Sequence, residues 1–321
     1  MNDMSQAEYL LVAALLLDLL FGDPRWMPHP VKGIGWFAFA VEKYLRRSSL
    51  TPVIAGVFCV ASVVGVSAGT AWLVSAAAAK LHPLAGMAVS VLLLYTTLAV
   101  KDLGDHALAV KRALEKGDAG LARRRVSMMV GRDTENLDQG GIALAAVESV
   151  AENTVDGVTA PLFYAILFGP AGAVAYKAVN TLDSLFGHLD DRYREFGRAS
   201  AKLDDLANWL PARLTVFAIA LASIVRKSRF FDIFKAVQRG AKLHASPNAG
   251  YPEAAFAGAL GVALGGKRSY GGVLHETHTL GIRRDSCRPE TIQRSVDLMR
   301  STTVVFLAAG ILMKFLVMQL L

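Results

Sequence analysis

The sequence predicts an all-α, polytopic integral membrane protein with three to six membrane-embedded helices and cytoplasmic helical elaborations. Three observations carry that reading. Of 321 residues, 53% are hydrophobic and 19% charged, and the mean hydropathy of +0.38 is too high for an ordinary soluble domain. Residues 52–79 (PVIAGVFCVASVVGVSAGTAWLVSAAAA) carry no charge and exceed the roughly 20 residues needed to cross hydrocarbon. The apolar runs are rich in Ala and Leu and alternate weakly, which favours helices over strands.

Three spans are expected. The first is 52–79; the turn KLHP then leads into 84–100, a second hairpin arm barely long enough to cross; the third is 302–321, interrupted only by Lys314. Three other stretches fit a tilted span, a re-entrant segment or a buried helix: 9–21, which contains Asp18; 158–179, broken at Gly169-Pro170; and 210–225, which contains Arg213. The first stretch lacks a basic leader and is followed by GDPRWMPHP rather than a small-residue cleavage site, so it is expected to stay on the chain. One membrane-embedded domain is expected over residues 1–321, with polar insertions at about 101–157 and 226–300, no internal repeat and no low-complexity linker.

Basic residues cluster at 43–47, 111–132 and 226–300, whereas the turn at 80–83 holds only Lys80, so the positive-inside rule places those three regions in the cytoplasm. The net charge of +7 suits anionic lipid and phosphate-bearing ligands, and no basic and aromatic motif calls for nucleic acid. Cys59 in a span and Cys287 in a polar region make no disulfide, zinc or haem pattern.

The segment AVESVAENTVDGV sets Glu148, Glu152 and Asp156 four residues apart, one stripe roughly 12 Å long if helical. Like charges at this spacing destabilise a helix, so water, arginines or a metal ion should compensate. Asn153 adds an amide, giving an oxygen-rich face of the kind Mg²⁺ uses; a solvated face is the plain alternative. Asp133 or Asp138 is the expected N-cap, Gly157 the expected left-handed end, and Ala143, Val147, Val150 and Thr154 the packed side.

Downstream, YKAVNTLDSLFG places Tyr176, Asn180 and Asp183 on one helix face at the edge of an apolar run, with Lys177 pointing elsewhere to snorkel. Polar groups there serve a site, or are satisfied structurally. The block RYREFGRASAKLDDLANWLPARL mixes Arg192, Arg194, Arg198 and Lys202 with Asp204, Asp205 and Asn208, which suits phosphate or carboxylate binding as well as a salt-bridged surface helix. The leading loop GDPRWMPHPVKGIG holds Asp23, Arg25, His29 and Lys32 in a proline-rigid frame. In HASPNAGYPEAAFAGALG, Ser246 and Asn248 offer helix caps, or free backbone N–H groups for an anion. GVALGGKRS has phosphate-loop spacing, but Arg268 stands where Ser or Thr belongs and no strand precedes it, so it is not a Walker motif. HExxH does not occur.

Together, GDPRWMPHPV, RDTENLDQGGIALAAVESVAENTVDGVTAPLF, YKAVNTLDS, RYREFGRASAKLDDLANWLPARL and SPNAGYPEAAFAGALG resemble, in order from about residue 10 to 300, the CobD/CbiB family of adenosylcobinamide-phosphate synthases. The resemblance implies ATP-dependent amide formation between adenosylcobyric acid and (R)-1-amino-2-propanol O-phosphate or ethanolamine phosphate, at the cytoplasmic face of the inner membrane. On that reading Glu148, Glu152, Asp156 and Asp183 hold magnesium with the ATP phosphates, Arg132, Lys202 and Arg198 bind phosphate oxygens, and Asp204 or Asp205 takes the ammonium proton. Asn153, Asn180, Ser246, Asn248, Asp23 and His29 complete the expected binding set. The lipid bilayer and the corrinoid are the implied partners, and a homo-oligomer is compatible with them. An ion-coupled secondary transporter is the rival reading, since broken helices and membrane-edge acids also suit a carrier, but there is no repeated half and much of the chain is polar. A non-catalytic membrane sensor is the third.

Overall fold

The computed structural model describes residues 3–24, 26, 29–188, 190–226, 229–282 and 285–320; Arg25 of the leading loop lies outside them. In chain order the helices are α1 (Asp3–Phe21), α2 (Pro30–Leu45), α3 (Pro52–Leu81), α4 (Pro83–Tyr95), α5 (Val100–Glu115), α6 (Ala119–Val126), α7 (Gln139–Thr154), α8 (Ala160–Phe186), α9 (Arg198–Val225), α10 (Phe230–Gly240), α11 (Gly250–Leu260) and α12 (Pro289–Leu320), with the strands β1 (Lys267–Tyr270) and β2 (Val273–Glu276) between the last two. Among the described residues, five stretches are long and apolar enough to cross a membrane: Pro52–Leu81, Pro83–Glu115, Gln139–Phe186, Arg198–Val225 and Pro289–Leu320. The protein is an all-α, multi-pass membrane protein, and five falls within the expected three to six.

The chain forms two compact units, each assembled from distant segments. The first comprises Met1–Ala99, Asp156–Asn208 and Gly310–Leu321; the second, Val100–Val155 and Trp209–Ala309.

In the first unit, proline starts α2, α3 and α4 at the position where its missing N–H costs nothing. Two of these starts are capped by histidine: His29 Nδ1 accepts from Val31 N (3.3 Å) and His82 Nδ1 from Leu84 N (3.2 Å). The second cap turns the chain from α3 into α4, confirming the hairpin read from KLHP, and Gly86 brings α4 close onto the backbone of Ala79. α4 has 13 residues, about 20 Å of helix, so it stops short of a full crossing. The core joins small and β-branched residues of α3 (Ala55, Cys59, Val63, Ala71) to Val174, Ala178, Leu182 and Phe186 of α8. With little hydrophobic drive between helices in lipid, such small residues let backbones approach and gain dispersion contacts. Glu42, also buried here, is neutralised by Arg46 (2.8 Å) and Arg192 (3.1 Å), and the Arg46 guanidinium lies over the Phe196 ring at 4.7 Å.

The decisive feature is α8. Gly169 has φ 65° and ψ −157°, a region essentially closed to residues with a side chain, and Pro170 follows with no N–H to continue the ladder. In a straight helix Tyr164 and Tyr176 would stand about 18 Å apart. Their ring centroids are instead 5.2 Å apart at an interplanar angle of 13°. The chain therefore doubles back, and the apolar stretch over 139–186 is not one straight crossing.

Gly157 does not end the acid helix at a left-handed position; it is absent from the glycines with positive φ. α7 stops at Thr154 and Val155–Thr159 winds as a π-turn leading into α8. The Gly157 carbonyl accepts from Ala99 N (3.0 Å), which fixes the loop that follows α4.

In the second unit, Ala143, Val147, Val150 and Thr154 are buried as expected, and Asp138 caps α7, its Oδ1 accepting from Gly141 N (2.7 Å). The short hairpin β1–β2 was not anticipated. Gly271 and Gly272 take positive φ in its two-residue turn, and Asp133, the other candidate cap, anchors it by accepting from Ser269 Oγ (2.7 Å) and from the N–H groups of Gly271 (3.1 Å) and Gly272 (2.8 Å).

Gly169→Val forces a β-branched residue into the glycine-only region and is expected to cost about 1–3 kcal/mol, read as a lowered thermal midpoint in detergent. An unchanged midpoint would mean that the reversal does not depend on this torsion.

Candidate active site

The reversal of α8 assembles a polar cluster inside the first unit. Tyr176, with its ring held on Tyr164, donates its hydroxyl to Asn208 Oδ1 (2.8 Å), and Asn208 Nδ2 donates to Asp204 (3.0 Å). The Tyr164 hydroxyl donates to the Ala207 carbonyl (3.1 Å). Asn180 also faces the Asp204 carboxylate, and Asp183 and Asp205 lie near enough to repel it. The predicted face of Tyr176, Asn180 and Asp183 thus meets the α9 acids. Lys177, expected to snorkel, instead lies within reach of the charges of Asp156 and Asp23. Arg198 and Lys202 are exposed on the first turns of α9.

The acid ladder fares differently. Glu148, in the second unit, is buried and accepts from Arg132, Arg268 (2.9 Å) and Gly265 N (2.5 Å). Arg268 also lies 3.4 Å from Glu253, which lies 3.4 Å from His244 Nε2. Burial, with Glu148 and Glu152 nearby, pushes the Glu253 carboxyl well above its usual range, and burial pushes His244 down. Glu152 is exposed, and Asp156 falls within the π-turn, where the α-helical phase that aligned the three acids is lost. Among the described residues no three His, Cys, Asp or Glu side chains gather as metal ligands. Of the expected magnesium ligands Glu148, Glu152, Asp156 and Asp183, Glu148 has arginine as its compensation, and Arg132 binds it rather than phosphate in this structure.

Most of the remaining candidates serve structure. Asn153 Nδ2 donates back to Ser149 O (2.9 Å). Ser246 Oγ accepts from the N–H groups of Asn248 and Ala249 (3.2 Å each), the capping alternative, so those groups are not open to an anion. The Asn248 amide oxygen accepts from Arg213 (3.2 Å), whose guanidinium lies 4.4 Å from the Trp209 ring and 4.2 Å from that of Tyr251. His29, besides capping α2, lies 3.3 Å from Asp23.

A family model described as CobD/Cbib protein matches residues 11–299. The chain belongs to the CobD/CbiB family. It is 47% identical over 278 residues to "Cobalamin biosynthesis protein CobD" of Geobacter metallireducens, covering 87% of each chain. It is 42% identical over 295 residues to the protein of that name from Leptospira interrogans, covering 92% of this chain and 94% of the relative, and 42% identical over 289 residues to that of Klebsiella pneumoniae, covering 89% and 91%. No solved structure matches. Membership in the CobD/CbiB family places the protein in cobalamin biosynthesis and supports a biosynthetic enzyme role.

Two side chains outside the predicted set emerge here, Tyr164 and Asn208. The spacing of Asp204 and Asn208, one helical turn apart, was the available signal for the second; nothing local pointed to Tyr164.

Two outcomes follow. Glu148→Gln leaves Arg132 and Arg268 facing a neutral group and is expected to cost about 3–5 kcal/mol, seen as a large drop in thermal midpoint; a ligand needed only for metal would leave the midpoint unchanged. Hydrogen bonds hold the Asp133 carboxyl below its ordinary value, so its anchoring is complete above that value, 3.8, and fades as pH falls below it. Amide exchange at Gly271 and Gly272, corrected for intrinsic rates, should accelerate in that acid window and not on the alkaline side.

Proposed function

We propose that the protein joins adenosylcobyric acid to (R)-1-amino-2-propanol O-phosphate, or to ethanolamine phosphate, in an ATP-dependent ligation giving adenosylcobinamide phosphate. The observation that carries this reading is Asp204, a carboxylate that accepts from the Asn208 amide and faces Asn180, beside Asp183 and Asp205, in a chain whose relatives are named for cobalamin biosynthesis.

A carboxylate is a poor electrophile, so ATP first converts it to an acyl phosphate, which the amine then attacks. At neutral pH the amine is an ammonium ion with no lone pair, and a positioned carboxylate is the group such a step needs. Asp204 takes that role. Arg198 and Lys202, exposed at the start of the same helix, are proposed to hold phosphate oxygens. ATP is taken to arrive as its magnesium complex, and no step is assigned to the ion.

The charge pattern favours the cytoplasmic side of the inner membrane, where ATP is available. Because α8 doubles back, the π-turn before it and the segment after Phe186 lie at the same end of the hairpin.

Purified protein supplied with adenosylcobyric acid, ATP and the amino alcohol phosphate should yield the amide together with ADP and phosphate, and Asp204→Asn should lower its rate about 10²- to 10⁴-fold. Failure of wild-type protein to form the amide refutes the ligase. In a Cys59→Ser, Cys287→Ser background, His188→Cys should react with a membrane-impermeant maleimide only from the cytoplasmic side, and labelling from outside intact cells would break the topology.

A further inference from the structure

We infer that Tyr176 and Asn208 are positioning residues that orient Asp204 to accept the ammonium proton in the amide-forming step, an inference that rests on the ligase reading above. Asn208 presents its two amide ends to different partners: Oδ1 accepts from the Tyr176 hydroxyl and Nδ2 donates to Asp204. With Asp204 ionised, the polarity of this chain is fixed. With the amide reversed, its oxygen would face a carboxylate oxygen at 3.0 Å, two acceptors with no hydrogen between them unless Asp204 carried one. The arrangement thus matches an Asp204 that is an acceptor and enters the step as a base.

Each member of the chain is held in place. Tyr176 and Asn208 are both 2% exposed, so neither amide nor hydroxyl exchanges its partner for bulk water. The Tyr176 ring is stacked on Tyr164, and the Tyr164 hydroxyl binds the carbonyl of Ala207, the residue before Asn208. The two halves of α8 and the start of α9 therefore lock one another around a single carboxylate. A hydrogen-bonded chain that served packing alone would have no need to end on an acid with two other acids nearby.

In the step itself, Asp204 removes one proton from the ammonium and the freed nitrogen lone pair forms the C–N bond to the acyl carbon. The C–O bond to phosphate breaks, and phosphate leaves with its electron pair and takes the second proton lost by the nitrogen, so that the neutral amide keeps one N–H. The proton then passes from Asp204 to solvent. Transfer of phosphate from ATP to the corrinoid carboxylate, which precedes this, needs no base.

The test separates the two half-reactions. Tyr176→Phe removes the hydroxyl and keeps the stacked ring; Asn208→Leu removes both amide ends. Each variant is assayed with adenosylcobyric acid, ATP and the amino alcohol phosphate, and again with hydroxylamine in place of the amine, because hydroxylamine is largely unprotonated at neutral pH and needs no base. Amide formation should fall about 10- to 100-fold in kcat with little change in KM for the amine, while hydroxamate formation stays within about threefold of wild type. An equal loss in both assays would reduce the pair to fold support, and amide formation at the wild-type rate in both variants would leave them no role; either result overturns the inference. A wild-type protein that forms neither amide nor hydroxamate instead overturns the ligase reading itself.

Discussion

The first unit depends on one backbone constraint, the reversal at Gly169-Pro170. Glycine opens a torsion that other residues cannot adopt at acceptable cost, and proline then begins a second helical run with a donor already missing. Irregular backbone of this kind survives in an apolar setting only when neighbours cover it. Across the reversal Tyr164 stacks with both Phe168 and Tyr176, and the same stack carries the Tyr176 hydroxyl to Asn208. Backbone strain, ring packing and placement of the acid are thus one arrangement.

The second unit uses charge where the first uses geometry. Glu148 draws Arg132 from the loop before its own helix, Arg268 from β1 and the Gly265 N–H from the loop between α11 and the hairpin. A buried ion cluster of this type adds little net stability compared with a well-packed apolar substitute, yet it tolerates no missing member, because the survivor is left charged and unpaired. Its contribution is specificity of register: only one docking of the β-hairpin satisfies all three donors at once. Asp133 acts similarly at the hairpin tip, by accepting from two consecutive N–H groups.

Local features of the fold were readable from sequence because their causes are local. Prolines and a charge-free run announced the α3–α4 hairpin, Asp138 announced its own helix, and Gly169-Pro170 announced a break. That the break is a reversal was not written there; it depends on Tyr164 meeting Tyr176 across the turn. The acid ladder misled for a related reason. Four-residue spacing finds neighbours within one helix, whereas Glu148 meets Arg268 across 120 positions of sequence, and the π-turn removes Asp156 from the alignment. The order of residues in a stripe says nothing about which face a distant strand will cover. Asp204 and Asp183 came together as the motif suggested, but the Tyr–Asn chain that holds Asp204 required the fold.

The interleaving of the two units has a consequence for biogenesis. α3 emerges from the ribosome long before α8, so its small-residue stripe first meets lipid, where an apolar helix can wait at no great cost. Glu42 could not wait so easily without Arg46, one helical turn away and synthesised almost at once, whereas its second arginine arrives about 150 residues later. Gly310–Leu321 rejoins the unit begun by α1, so segments of the first unit are made both before and after those of the second.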